Sequence, residues 1–214
     1  MGKSTSRLKS RLNNEKGSYS IIAVMLIFII LIAVAAYTDM ITKRWTINEV
    51  QAVMDLSGGN TLKKHVNLNE LYQEKIGDGR FTSDKNKEQI KSELEAAVDE
   101  DYLRKIEDAY KEELFNQIKV NDTISSVQVT NLDVDFGYTN EGLGEKATPR
   151  PQFVIDSVVQ LEVKTSNQFD TGANYTSQVF SSFNSSNFEV TVIDKPKDGK
   201  QTLAVRSVTR LVYR

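Results

Sequence analysis

The 214-residue chain contains no cysteine, which excludes disulfide bonds, thiolate metal sites and a cysteine nucleophile. It has a single histidine, His65, so a site built from several histidines is excluded and a histidine-based catalytic relay is disfavoured. The sequence also shows no nucleophile elbow and no phosphate-binding loop. We therefore expect neither an enzyme nor a bound cofactor, and interpret His65 as an ordinary residue on a helix surface.

The charge is small overall but unevenly distributed. The formal net charge is −2, and residues 1–17 carry five basic side chains against one acidic side chain. The rest of the chain is therefore acidic, which gives no support to nucleic-acid binding. The basic segment is instead explained by membrane topology and anionic lipid.

One long apolar run, Ile21–Tyr37, lies inside an uncharged window from Gly17 to Thr38. A membrane-spanning helix needs roughly 20 predominantly apolar residues to cross about 30 Å of hydrocarbon. We predict one membrane-spanning helix over residues 18–40, in contact with membrane lipid, whose anchor includes the apolar residues Ile21, Leu26, Phe28, Leu31 and Val34.

The residues around this run predict its orientation. Basic residues concentrated on the N-terminal side favour a cytoplasmic N-terminus and an extracellular C-terminal domain in a single-pass protein of the cell membrane. Ala33-Val34-Ala35 could imitate a signal-peptide cleavage site, but the apolar pattern continues through it, which favours a retained helix. Tyr19 and Trp45 lie where interfacial aromatic residues are expected.

The junction before the apolar run has the sequence Lys16-Gly17-Ser18-Tyr19-Ser20-Ile21-Ile22. A basic residue, a glycine, a few small or polar residues and an apolar helix together resemble the processing site of type IV prepilins. Over about residues 16–66 the chain most resembles the TadE/TadG-like pilin-related proteins of tight-adherence pilus systems. The resemblance implies cleavage between Gly17 and Ser18 by a prepilin peptidase, with other pilin-like or assembly-apparatus subunits as partners. The alternative is that Gly17 is only a permissive residue at the membrane boundary.

One position departs from the pilin pattern. Major pilins and TadE-like members carry glutamate at the fifth position after the cleavage site, where this chain has Ile22. The resemblance therefore implies a minor, TadG-like subunit of a pilus, secretion or conjugation apparatus. The alternative is an uncleaved single-pass scaffold or a module that binds a ligand through an extracellular head.

Beyond the span, helical spacing predicts an amphipathic stalk over residues 41–66, followed by a head over 67–214. Because each glycine lowers helix propensity by about 1 kcal/mol relative to alanine, Gly58-Gly59 predicts a kink or break. An apolar stripe from Lys87 to about Val120 predicts one charged helix, or two if Asp99-Glu100-Asp101 marks a break.

After Asn121 the apolar period changes to two, which predicts strands. Four alternating segments predict an antiparallel sheet with one covered face, and the preceding helices are the natural cover, giving an α+β fold. A change of parity predicts a bulge near Thr130-Asn131. The segments run over residues 127–138, 153–163, 188–192 and 203–213.

Two connections and one acidic cluster are candidate contact sites. Residues 140–151 form a predicted hairpin loop, and the polar residues 166–187 are long enough for a functional loop. A cluster near a strand end could offer oxygen ligands to calcium, but the loop spacing of a calcium motif is absent and its two aspartates are expected on a solvent face. The cluster comprises Asp133, Asp135, Asn140 and Glu141.

Overall fold

The computed structural model describes residues 4–67, 87–139, 150–165, 184–194 and 197–213. It has an α+β fold with a long N-terminal apolar helix, further helices and a four-stranded antiparallel sheet, as predicted. The helices are α1 (Ser4–His65), α2 (Lys87–Ala97) and α3 (Glu100–Gln117). The strands are β1 (Ile124–Thr139), β2 (Arg150–Lys164), β3 (Phe188–Val192) and β4 (Lys200–Val212).

The chain divides into two compact units, Met1–Thr42 and Lys43–Arg214. The second unit, which we call the head, contains the sheet, α2, α3 and the part of α1 from Lys43 onward. The compact unit therefore begins earlier than the predicted head at residue 67, and it includes residues 43–65 of the predicted stalk.

Helix α1 is continuous through Gly58-Gly59, so the predicted break there is wrong. The buried residues Met54 and Leu62 flank the glycine pair, and both are 0% exposed. Two glycines lower helix propensity by about 2 kcal/mol together. Burial of Met54 and Leu62 side chains contributes about 1.5–3 kcal/mol each, which outweighs that penalty.

The sheet has the strand order β1-β2-β4-β3, and every neighbouring pair is antiparallel. The register between β1 and β2 shifts between Val129 and Asn131, which confirms the predicted bulge. The shift changes which residues of β1 face the helices, because successive strand residues point to opposite faces.

Two helices, rather than one, occupy the predicted charged stripe, and the break lies at the predicted acidic triplet. Asp99 is the N-cap of α3, and its side chain accepts a hydrogen bond from the backbone N–H of Tyr102 at 2.9 Å. Such a cap satisfies a donor that the first helical turn leaves free. The apolar side of α3 buries Ile106, Tyr110 and Leu114.

The helices cover one face of the sheet. In β2, one of the two central strands, alternate residues are buried, whereas the intervening residues are only half-buried. Their opposite orientations follow from the strand period of two. The buried residues of β2 are Phe153, Ile155, Ser157, Val159, Leu161 and Val163.

Candidate membrane anchor and helix–sheet contact

The first unit presents its apolar side chains at the surface. The five predicted anchor residues are between half and two-thirds exposed, and none of the most apolar window of α1 is buried within the molecule. Among the described residues, α1 is the one helix long and apolar enough to cross a membrane. The anchor residues are Ile21 at 65%, Leu26 at 55%, Phe28 at 65%, Leu31 at 60% and Val34 at 56%.

The two predicted interfacial aromatic residues are also exposed, Tyr19 at 72% and Trp45 at 75%. Amphipathic rings of this kind favour the level of the lipid headgroups. The predicted processing pair, Gly17 and Ser18, lies within α1. Cleavage between them stays a prediction.

From Lys43 onward α1 is packed on the sheet, and three contacts define how it lies on β4. The hydroxyl of Ser207 donates to Asp55 Oδ1 at 2.6 Å, and the hydroxyl of Tyr213 donates to the carbonyl of Val66 at 2.6 Å. Between them, Gly58 faces Thr209. Residue numbers rise together along both elements, so α1 and β4 run in the same direction.

At Gly58 the backbone of α1 lies close against Thr209 of β4. A Cβ atom added to Gly58 would lie 2.5 Å from Thr209 Oγ1 and 2.8 Å from Thr209 Cβ. A Cβ added to the neighbouring Gly59 would meet nothing within 4 Å. Only the first glycine is therefore required by packing, and the sequence pattern did not distinguish the two.

A chain of hydroxyl groups crosses the inner face of the sheet. The hydroxyls of Tyr110 and Ser157 are 2.7 Å apart, and Ser157 lies opposite Ser207 in the register of β2 and β4. Ser207 in turn donates to Asp55. Both serines are 1% exposed, so these hydrogen bonds satisfy polar groups that would be costly to bury alone.

Burial raises the pKa of Tyr110 to about 12, and its hydrogen bond with Ser157 only partly offsets this effect. The phenol therefore stays neutral at physiological pH. These hydrogen bonds, from Tyr110 through Ser157 and from Ser207 to Asp55, join α3, the sheet and α1. A serine at an inward position of each strand, Ser157 in β2 and Ser207 in β4, is the sequence signal for it.

Two tyrosines hold the C-terminal end of α1. The hydroxyl of Tyr102 donates a hydrogen bond to the carbonyl of His65 at 2.8 Å, and the hydroxyl of Tyr213 donates one to the carbonyl of Val66. The last carbonyls of a helix have no partner within the helix, so these bonds fix its end. The His65 side chain is exposed, in agreement with its interpretation as a surface residue.

A polar cluster on Glu113 joins α1 to α3. Asn60 donates a hydrogen bond to Glu113 at 3.3 Å, and Lys64 donates another to Glu113 at 3.4 Å. Both donors lie in the last two turns of α1. The hydrogen bond from Asn60, followed by the one from Lys64, lowers the pKa of Glu113. Because the Lys64 side chain is exposed, the contribution of its ion pair with Glu113 is weakened by solvent screening.

The predicted calcium ligands are only partly described. Asp133 and Asp135 are exposed on β1, as the strand period predicted, whereas Asn140 and Glu141 lie outside the described residues. Within the described part of the chain, no group of three or more acidic, histidine or cysteine side chains is placed to hold a metal ion. Most of both predicted loops, residues 140–149 and 166–183, also lies outside the described residues.

Within the part of the chain that the structure describes, fold and exposure define an α+β protein with a single N-terminal helix suited to crossing a membrane, which is consistent with a single-pass membrane protein. No family model matches the chain, and comparison with curated proteins and with solved structures gives no match.

Proposed function

We propose that the chain is a pilin-like structural subunit, a minor component of a cell-surface pilus, secretion or conjugation apparatus. The exposed part of α1 anchors the subunit in the cell membrane, with the N-terminus in the cytoplasm and the head outside. During assembly the same apolar side chains would contact other subunits in place of lipid.

The observation that carries the proposal is that the two parts of α1 differ in how they place their apolar side chains. Its first part exposes apolar side chains, such as Phe28 at 65%, while its second part buries Ile47 and Met54 in the core of the head. A long N-terminal helix that continues into a sheet-bearing head is the general plan of pilin-like proteins. The junction around Gly17 and the basic tail before it provide independent support from the sequence.

Ile22 favours a second candidate, an uncleaved single-pass scaffold or binding protein. In major pilins a glutamate at this position pairs with the N-terminus of a neighbouring subunit, and isoleucine cannot make that charge pair. Ile22 is 55% exposed, so it adds to the apolar surface of the anchor instead. A scaffold of this kind would retain its basic N-terminal residues.

Intact mass and N-terminal sequencing of the protein from native membranes and from sheared surface material would separate the two candidates. A chain that begins at Ser18, especially in the sheared fraction, would support a processed pilin-like subunit. A chain that begins near Met1 and stays in the membrane fraction would overturn processing and favour the scaffold.

A control variant makes the result specific to the junction. Gly17→Val should abolish processing because the peptidase recognises the glycine, whereas Gly2→Val should leave the mature mass unchanged. Equal N-termini in all three proteins would contradict the proposed cleavage site.

A further inference from the structure

The sheet has one face in contact with the helices and one face opposite to it. α3 contacts the sheet through Ser157, and α1 contacts it through Ser207 and Thr209. Because successive strand residues point to opposite faces, the residues that alternate with these form the other face, which we call the outer face. Its half-buried aliphatic residues on β2 and β4 are Val154, Val158, Ala204 and Val208.

Charge on the outer face is divided between the strands. β1 contains two acidic residues, Asp133 and Asp135, and no basic residue. β4 contains three basic residues, Lys200, Arg206 and Arg210, and no acidic residue. All five are exposed and belong to the outer face. The strand between them, β2, has two residues of each sign, so one side of the outer face is acidic and the other is basic.

The aspartates of β1 have no partner within their own copy. Among the described residues, neither carboxylate has a hydrogen bond or an ion pair. Asp133 lies directly opposite Asp156, and like charges at such a position are destabilising. Arg206 binds Asp156 through hydrogen bonds of 2.9 and 3.2 Å and lies 4.0 Å from Glu189, so its charge is shared between those two carboxylates. The negative charge of β1 is thus presented at the surface.

Asp135 and Arg210 lie in the same row across the sheet, with Val154 of β2 between them. Two strand spacings separate their backbones by about 10 Å. Within the described part of the chain Asp135 forms no ion pair with Arg210. The two residues therefore present opposite charges on either side of one valine.

The division of charge makes the outer face complementary to itself. If two copies pack face to face around a two-fold axis parallel to the strands, β1 of each copy lies across from β4 of the other, and β2 lies across from β2. A two-fold axis perpendicular to the strands would instead place β1 on β1 and β4 on β4. Like charges would then meet, so the charges favour the first arrangement.

The outer face is large enough for such a contact. β1, β2 and β4 contain 16, 15 and 13 residues, so they share a length of about 43 Å and a width of about 14 Å. The resulting area is about 600 Å² per copy, or about 1,200 Å² for the pair, above the roughly 1,000 Å² expected of a specific interface. Val154 and Val158 lie along its middle, and Asp156 would enter it already paired with Arg206.

We propose that the outer face binds a second copy of this chain, forming a symmetric dimer in which Asp135 of each copy pairs with Arg210 of the other. The valines of β2 meet at the centre, and the acidic and basic strands form the two sides of the contact. The dimer concerns the head, and it depends neither on cleavage at Gly17 nor on the pilin-like function.

Energy transfer between labelled full chains tests the dimer. Because the chain has no cysteine, Lys105→Cys provides a single labelling position on an exposed residue of α3, which packs on the opposite face of the sheet. Chains that carry a donor or an acceptor would be mixed in detergent with micelles in large excess. Transfer measured over a range of chain concentrations then gives the dissociation constant.

Charge reversal makes the test specific to the proposed pair. Asp135→Arg alone, or Arg210→Asp alone, places like charges across both halves of the contact and should raise the dissociation constant about tenfold or more. An equimolar mixture of the two variants, one with the donor and the other with the acceptor, restores opposite charges in both halves. Its dissociation constant should return close to that of the parent.

Two controls complete the design. Glu112→Arg and Arg104→Asp make the same charge changes at exposed positions of α3 and should leave the dissociation constant unchanged. Asp135→Asn and Arg210→Gln remove the charges without reversing them, so each should weaken the dimer and their mixture should not recover. Circular dichroism establishes that the variants are folded, and the neutral pair provides the test if a reversal prevents folding.

Parent chains that show no transfer dependent on concentration would overturn the proposal. Transfer that the variants at Asp135 and Arg210 leave unchanged would place the association elsewhere, as through α1, and would overturn it equally. Folded reversal variants that do not recover when mixed would also contradict it. None of these results bears on the membrane anchor or on cleavage at Gly17.

Discussion

The close contact between Gly58 and Thr209 makes a sharp prediction about stability. Gly58→Ala would place a methyl group 2.5 Å from Thr209 Oγ1 and 2.8 Å from Thr209 Cβ. The hydroxyl could rotate away, but Cβ is attached to the backbone of β4, so helix and strand would have to separate. Overpacking of this kind typically costs about 1–3 kcal/mol.

Gly59→Ala is the matched control, because its new methyl group would meet nothing within 4 Å. Both substitutions gain about 1 kcal/mol of helix propensity, so this term cancels when the two variants are compared. The remaining difference of about 1–3 kcal/mol corresponds to a Tm lower by about 2–12 °C for Gly58→Ala, given the size of the head.

Thermal unfolding of the full chain in detergent micelles, followed by the near-ultraviolet circular dichroism of the tyrosines in the head, would measure this difference. Thr209→Gly removes the opposing side chain, so in that background the two alanine variants should unfold at similar temperatures. A Gly58→Ala protein as stable as the Gly59→Ala protein would refute the close approach of α1 to β4.

Three further predictions follow from the polar contacts of the head. Tyr110→Phe should lower the free energy of unfolding by about 1 kcal/mol. The pKa of Tyr110 is about 12 in the folded protein and about 10 in the unfolded chain. Between pH 10 and 12 the wild type should therefore lose about 2–3 kcal/mol more of its free energy of unfolding than the variant, as measured by denaturant midpoints. Asp55→Ala should destabilise the head by about 1–3 kcal/mol, because the buried Ser207 hydroxyl loses this acceptor. Glu49→Ala, at an exposed position of the same helix, should have little effect on stability. Equal effects of the two variants would contradict the contact between Asp55 and Ser207. The double variant Tyr102→Phe, Tyr213→Phe should raise hydrogen exchange in the last turn of α1 about 5–30-fold, equivalent to about 1–2 kcal/mol; unchanged exchange there would show that neither hydroxyl holds the end of the helix.

Much of the head could be predicted because its signals are local. Alternation located all four strands, a change of parity located the bulge at Thr130, and the acidic triplet at Asp99 located the helix break. Each of these features depends on neighbouring residues, so the sequence pattern contains it directly.

The features that failed to appear in the pattern depend on residues far apart in the chain. Gly58 is opposite Thr209 and Tyr110 is opposite Ser157, and no local period reveals such pairs. Helix propensity alone predicts a kink or break at the glycine pair. Packing against the sheet outweighed that local preference, and the helix continued.

The parallel course of α1 and β4 has a mechanical consequence. A pull along the axis of α1 would load the contacts at Asp55, Gly58 and Val66 in shear, since all three lie along the shared direction of helix and strand. Contacts in shear share the load and yield together, whereas contacts that are peeled apart yield one after another. We therefore expect the head to resist tension applied through α1 better than it would if the same contacts were peeled apart one by one.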